Sequence, residues 1–127
     1  MITYQADEKQ RILTIVVNGM ITESDLDAAM SALQNEYPAV GVHLLGGERG
    51  GFRMLVDWEH LEGWEKGAKT AGTVFARCIT DAVSKIAVIA AAKWSGEQER
   101  LADVAKNATV RFFLPSDRDD ALSWLHA

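Results

Sequence analysis

Three tryptophans lie where apolar segments of the sequence end, and their chemistry suits a binding site. Trp58 ends FRMLVDW, Trp94 ends KIAVIAAAKW, and Trp64 lies about two turns into the helix that we expect after Trp58. Ligands of open α/β sheets bind outside the carboxyl ends of strands, so Trp58 and Trp94 are predicted to form an aromatic pocket there. The alternative is that these side chains only cap the core, because large aromatic residues dominate cores regardless of function.

Polar residues flank the same predicted edge. Lys93 is placed to contact an anionic group, and His60 is a second candidate contact at this edge. Ser95 with Gln98 three residues later matches a capping box, which predicts a helix start whose free N–H groups attract an acidic headgroup. A fatty acid would then place its tail on the tryptophans and its carboxylate near Lys93. For Lys93 and His60 the alternative is an ordinary solvated side chain.

Other motifs predict no metal and no cofactor. DWEH would place Asp57 and Glu59 on one face of a strand and His60 on the other, and no HExxH or CxxC spacing supports a metal site. GGERGG lacks the lysine and the following helix of a phosphate-binding loop. A small enzyme that uses Asp57, His60 or Lys93 remains an alternative, although a full set of nucleophile, base and orienting group is not visible.

Size and charge restrict the class of protein. The chain of 127 residues has the common length of one domain, and we assign residues 1–127 to a single domain. Its formal charge is −5, without clustered lysine and arginine, which argues against nucleic acid and anionic membranes as partners. No apolar run reaches the roughly 20 residues of a membrane span, and no signal peptide is recognisable. The single cysteine, Cys78, excludes an internal disulfide and fits a cytoplasmic protein.

Hydrophobic periodicity predicts strands that alternate with helices. A hairpin is expected from Ile2 to Asn18, followed by a helix capped by Thr22 and Asp25 and ended by Pro38. The later elements are a glycine-rich loop (38–51), the strand FRMLVDW, a helical region (61–84), the strand KIAVIAAA, the helix GEQERLADVAKN, the strand ATVRFFL and the helix DRDDALSWLHA after Pro115 and Ser116. About five strands and four helices in this order predict an α/β fold with a mainly parallel sheet.

Four segments resemble the SpoIIAA-like proteins, small bacterial relatives of the STAS domain and of anti-sigma-factor antagonists. These segments are GMITESDL, LVDW, KIAVIAAAKW and VRFFLPSDRDDALSWL, and together they cover nearly the whole chain. The resemblance implies a βα superhelix in which consecutive strands lie side by side, an architecture that CRAL-TRIO lipid-binding domains also use. It implies no established enzyme activity.

One departure from the resemblance concerns regulation. In anti-sigma-factor antagonists a serine follows the strand equivalent to MLVD, at a helix start, and a partner kinase phosphorylates it. Here no serine or threonine occurs between Asp57 and Thr70, so the phosphorylation switch is not expected. We therefore predict a non-enzymatic cytoplasmic module that binds a protein partner or a small apolar or amphiphilic ligand at the strand-end cleft. A homodimer is expected if one sheet face is left bare and apolar.

Overall fold

The computed structural model describes residues 1–7, 9–36, 52–68, 83–105 and 108–127. The strands are β1 (Ile2–Asp7), β2 (Ile12–Val17), β3 (Gly19–Ile21), β4 (Phe52–Asp57), β5 (Leu61–Trp64), β6 (Val83–Ile89) and β7 (Thr109–Phe113). The α-helices are α1 (Glu23–Glu36), α2 (Glu97–Val104) and α3 (Arg118–His126), and short 3-10 turns span Ala92–Trp94 and Pro115–Asp117. None of the described helices combines the length and the apolar character needed to cross a bilayer.

Five strands form one sheet in the order β1-β2-β4-β6-β7. β1 runs antiparallel to β2, and the other neighbours are parallel. This confirms the predicted α/β class, the N-terminal hairpin and the mainly parallel sheet of about five strands. Because the strand order always advances in one direction, right-handed crossovers place α1 and α2 on the same face of the sheet. The helix after the last strand, α3, is free of that constraint and covers the opposite face.

Two separate cores fill the two faces of the sheet. Met54 and Leu55 are neighbours in β4, and both are buried. Met54 lies in the core that contains Leu26 of α1, whereas Leu55 lies in the core that contains Ala121 and Leu125 of α3. Successive residues of a strand point to opposite faces, so where both faces of a strand are covered, neighbouring positions are both apolar. This explains the lack of alternation in β6 as well.

The segment KIAVIAAA forms an interior strand, as predicted. β6 lies between β4 and β7, and Val88 and Ala90 are 0% and 3% exposed. The strand ends at Ile89, earlier than the predicted segment. The N–H of Ala90 nevertheless donates to the carbonyl of Phe113 over 2.9 Å, so the backbone of Ala90 remains joined to the end of β7.

A small second sheet corrects the prediction for the segment after β4. Leu61–Trp64, predicted as the start of a helix, is strand β5 and pairs in parallel with β3. Leu61 is buried in the main core, and the nearby Gly67 has φ +88°, a conformation that a right-handed helix does not contain. Trp64 therefore ends a strand and does not lie within a helix.

Parts of two predictions lie outside the described residues. These are the glycine-rich loop (38–51), and residues 69–82 of the predicted helical region, which include Cys78. The described part of the chain contains three α-helices against about four predicted.

The first helix begins as its sequence predicts. The N–H of Thr22 donates to Oδ2 of Asp25 over 3.0 Å, and the N–H of Asp25 donates to Oγ1 of Thr22 over 3.1 Å. These reciprocal bonds form the predicted capping box and satisfy two donors that the helix start would otherwise leave unpaired. Leu26 is buried and Met30 is half-buried against the same core, which orients α1 on the sheet.

Replacing Asp25 with alanine should destabilise the protein by about 0.5–2 kcal/mol at pH 7, the usual effect of losing a helix cap. The hydrogen bond from the Thr22 backbone lowers the pKa of Asp25 in the folded protein. The stabilisation is therefore complete above the unfolded pKa of about 3.9 and is lost as the pH falls through the lower, folded pKa. Urea unfolding of wild type and variant at pH 7 and at decreasing acidic pH should show the difference shrinking.

Asp27→Ala is the matched control, because Asp27 is exposed and lies two residues further along the same helix. Its unfolding free energy should stay within about 0.5 kcal/mol of wild type. Equal losses in Asp25→Ala and Asp27→Ala would contradict a specific cap.

The two later helices begin one residue after the positions that their sequences suggest. Gly96, not Ser95, precedes α2, and Asp117, not Ser116, precedes α3; neither residue makes a side-chain capping bond. A 3-10 turn intervenes between strand and helix in both cases. Ser95 already has αR dihedral angles, and its N–H donates to the carbonyl of Ala92. An N-cap requires a non-helical residue, so Ser95 cannot serve as one.

Basic residues of the sheet hold the carboxyl end of α3. Nζ of Lys85 donates to the carbonyl of Trp124 over 3.0 Å, and the guanidinium of Arg53 donates to the carbonyl of Leu125. The last carbonyls of a helix have no intrahelical partners, and cations there also complement the helix dipole. These bonds fix the position of α3 across β4 and β6.

The edge strand β1 is polar on the second sheet face. Thr3, Gln5 and Asp7 of β1 are exposed there, while the alternate residues of the strand pack on the main core. β1 therefore adds no apolar surface on that face, and the homodimer stays a prediction.

Candidate functional site

Four aromatic residues meet at the carboxyl edge of the sheet. Trp58 lies at the centre, with its ring centroid 5.9 Å from that of Trp64, 6.3 Å from that of Trp94 and 5.7 Å from that of Phe112. All three pairs are edge-to-face, the arrangement that aromatic quadrupoles favour. We call these four residues the aromatic cluster. The predicted meeting of Trp58 and Trp94 is confirmed.

Four different elements bring the cluster together. Trp58 follows β4, and its N–H donates to the carbonyl of Ile89 at the end of β6 over 2.7 Å. Trp64 is the last residue of β5, and Trp94 ends the 3-10 turn after β6. Phe112 belongs to β7 and was not predicted as part of the site. The segment VRFF could have indicated it, because neighbouring residues of a strand point to opposite faces and one of Phe112 and Phe113 must therefore face each side of the sheet.

Exposure differs among the members of the cluster. Trp58 is only 8% exposed and belongs to the core, whereas Trp64, Trp94 and Phe112 are half-buried. Lys93 is exposed, and its ammonium lies 5.3 Å from the centroid of the Trp94 ring. Trp58 therefore forms the base of the cluster, and the half-buried rings with Lys93 form its outer surface.

The indole N–H of Trp94 is buried without an acceptor in the described part of the chain. Nε1 of Trp94 and Oδ1 of Asn18 are the two buried side-chain polar atoms there that have no hydrogen-bond partner. Both residues follow the carboxyl ends of parallel strands, β2 for Asn18 and β6 for Trp94. A buried donor without a partner costs about 1–3 kcal/mol, so it is unusual in a folded protein.

The helix start beside Lys93 differs from the predicted one. Ser95 is exposed and does not cap α2, and the first turn of the helix carries Glu97 and Glu99. Glu97 forms an ion pair with Arg100 over 3.2 Å. Acidic side chains in a first turn already compensate the positive end of the helix dipole, so an additional carboxylate gains little there.

Asp57 belongs to a second group on the opposite face of the sheet. Its Oδ2 accepts a hydrogen bond from the guanidinium of Arg118 over 2.6 Å, and Oε2 of Glu59 accepts from the same Nη2 over 3.1 Å. The bond to Asp57 raises the pKa of Arg118. Asp57 and Glu59 thus share one side, as predicted, but their carboxylates hold the first residue of α3. Arg118 was not identified from the sequence, because its partners lie about sixty residues away along the chain.

The residues of the alternative enzyme are not assembled in the structure. His60 and Lys93 are both exposed, and in the described regions neither forms a hydrogen bond or ion pair with Asp57. The same regions contain no group of three or more histidine, cysteine, aspartate or glutamate residues that could hold a metal ion.

The chain after β4 also differs from a phosphorylation site of the antagonist type. A turn and strand β5 follow Asp57, and no helix begins between Asp57 and Trp64. Strand order along the main sheet does not reverse among the described strands, so the sheet has no topological switch point of the kind at which ligands usually bind. A site at this edge is therefore built by side chains, chiefly those of the aromatic cluster.

Comparisons with known proteins agree with this architecture. A crystal structure of an uncharacterised DUF3478-family protein from Shewanella loihica PV-4, which has a SpoIIAA-like fold, superposes with a TM-score of 0.74 at 18% sequence identity. The alignment covers 98% of this chain and 92% of that chain, and it establishes the fold. No curated protein matches the sequence. The sequence profile of the SpoIIAA-like family matches residues 12–126, from β2 to the end of α3. The chain therefore belongs to the SpoIIAA-like family.

Proposed function

We propose that this protein is a non-enzymatic, cytoplasmic binding module whose aromatic cluster holds a small apolar or amphiphilic ligand. The SpoIIAA-like fold in general supports a regulatory or binding module and is typically non-enzymatic. The observation that carries the proposal is the set of three half-buried rings around the buried Trp58, at the carboxyl edge of the parallel strands.

Half-buried aromatic rings favour an apolar ligand. Covering apolar surface contributes about 25 cal/mol per Å², and Trp64, Trp94 and Phe112 retain exposed area that a ligand can cover. Lys93 lies at the rim, where its ammonium can contact a polar headgroup in water. His60 and Ser95 are exposed near the same edge and provide at most outer contacts.

The geometry argues against the enzyme alternative. The carboxylate of Asp57 is engaged by Arg118 on the face opposite the aromatic cluster. A catalytic acid or base at the cluster would have to come from the same face, and within the described residues no hydrogen bond or ion pair orients the side chain of His60 or Lys93.

One observation favours a second candidate function, which is binding of a protein partner. Leu114 follows β7 at the same edge of the sheet and is 45% exposed. Single exposed apolar residues are common on protein surfaces, so Leu114 adds less support than the aromatic cluster does. Native mass spectrometry of the purified protein would reveal a second copy or another bound protein, and it would also reveal a co-purified small molecule.

Titration with alkyl chains of increasing length tests the proposed function. Trp124 lies in the other core, so the Trp124→Phe variant removes the one tryptophan outside the cluster and simplifies the emission. We expect saturable quenching or a spectral shift of tryptophan fluorescence. The affinity should rise up to about fourfold for each buried methylene. Lys93→Ala should weaken binding of chains with an anionic headgroup and leave the melting curve cooperative. Unchanged emission for every chain length below its micelle concentration would contradict the proposal.

A further inference from the structure

We propose that the ligand of the aromatic cluster carries an uncharged hydrogen-bond acceptor, such as a ketone, ester or ether oxygen, which pairs with the indole N–H of Trp94. This inference rests on the proposed function and specifies the ligand class. Nε1 of Trp94 is buried and has no acceptor among the described residues, although the ring packs edge-to-face on Trp58. Buried indole N–H groups usually have a hydrogen-bond partner. A ligand acceptor placed at Nε1 would therefore contribute more binding free energy than at any other position in the cluster.

The acceptor should be neutral because its surroundings do not support an anion. The indole is an uncharged donor, and a carboxylate moved into a buried site loses its hydration without an opposite charge to replace it. The nearby first turn of α2 contributes Glu97 and Glu99, and Lys93 is exposed above the ring of Trp94. An anionic headgroup would therefore remain outside in water, while a neutral oxygen can enter with the apolar part of the ligand.

Entry of the ligand requires a local rearrangement. Solvent does not reach Nε1 of Trp94, so an acceptor contacts it only after neighbouring side chains move aside. In the free protein the indole N–H of Trp94 has no acceptor among the residues that the structure describes. A ligand oxygen that replaces the covering side chains therefore adds a hydrogen bond that the free protein lacks. The affinity then depends on where the acceptor lies along the alkyl chain, because the oxygen must reach Nε1 while the chain covers the rings.

Three probes of similar size separate the possibilities: 2-octanone, its isostere 2-methyl-1-octene, which lacks the oxygen, and octanoate at pH 8. Calorimetric titration of wild type should rank 2-octanone first. Trp94→Phe should weaken 2-octanone about two- to tenfold, the usual effect of one hydrogen bond, and should change binding of 2-methyl-1-octene less than twofold. In wild type, ¹⁵N-labelled indole resonances should show the Trp94 N–H proton shifting downfield with 2-octanone alone.

Each other outcome has a definite meaning. If octanoate binds most tightly, or if Trp94→Phe weakens 2-octanone and 2-methyl-1-octene equally, the neutral-acceptor inference is overturned while the proposed function stands. If none of the three probes binds, both are overturned. The resonance measurement uses the unaltered protein, so the inference is tested even if Trp94→Phe does not fold.

Discussion

Replacing Ala90 with aspartate should unfold the protein. Ala90 is 3% exposed, lies directly after β6, and packs in the core with Met54 and Val88. A carboxylate at that position has no cation among the described core residues and would lose its hydration, at an effective penalty of several kcal/mol. That penalty is comparable to the whole stability of a domain, about 5–15 kcal/mol. Circular dichroism and a thermal melt of the purified variant measure the effect, and we expect no cooperative transition.

Ala92→Asp is the matched control for this substitution. Ala92 lies two residues later, in the 3-10 turn, and is exposed. The same chemical change should there alter the unfolding free energy by no more than about 0.5 kcal/mol. A soluble Ala90→Asp variant that melts cooperatively near the wild-type temperature would refute the interior position of β6.

Trp58→Ala should destabilise the protein by about 3–5 kcal/mol, the range found when large buried aromatic residues are truncated. Trp58 contacts the rings of Trp64, Trp94 and Phe112, so its removal leaves a cavity and eliminates three edge-to-face pairs at once. The edge-to-face pairs contribute about 0.5–1.5 kcal/mol each beyond the area they bury. Urea denaturation monitored by circular dichroism measures the loss without depending on tryptophan emission.

Trp58→Phe retains an aromatic ring and serves as the comparison. It should lose clearly less stability than Trp58→Ala, because much of the cavity is filled. If Trp58→Ala unfolds at the wild-type urea concentration, Trp58 is not part of the core, and the aromatic cluster is a surface feature only. Binding of alkyl chains should be weakened in Trp58→Ala even where the variant still folds, since the base of the cluster is removed.

The sequence allowed two interpretations of the tryptophans, a binding pocket or caps of the core, and the structure supports each of them in part. Trp58 caps the core, as the structural alternative holds, while Trp64 and Trp94 keep surface that a ligand can cover. Residue type and position along the chain could not separate these roles. The distinction depends on which ring lies beneath the others, and that order is set by how β5 and the 3-10 turn pack onto the sheet.

The elements that could be predicted from residue order are those whose signals are local or repeated. The alternating hairpin, the reciprocal capping pair Thr22 and Asp25, and the apolar run of residues 86–89 in β6 were all predictable. In each case the necessary partners lie within a few residues, or the hydrophobic pattern extends through a whole element. The meeting of Trp58 and Trp94 was predictable too, because carboxyl ends of parallel strands share one edge of a sheet.

Features whose partners are distant in the chain became evident only in the folded protein. Leu61–Trp64 forms a strand because β3, some forty residues earlier in the chain, supplies its hydrogen-bond partners. The residue preferences within a short segment do not reveal such a partner. Ser95 lost its capping role because the chain enters a 3-10 turn as it leaves β6. Arg118 bonds Asp57 and Glu59, and Phe112 joins the aromatic cluster, only once β4, β7 and α3 are packed together. A single sequence records the residues of such contacts but not their pairing, since the free energy that selects the partners arises from the assembled sheet and its two cores.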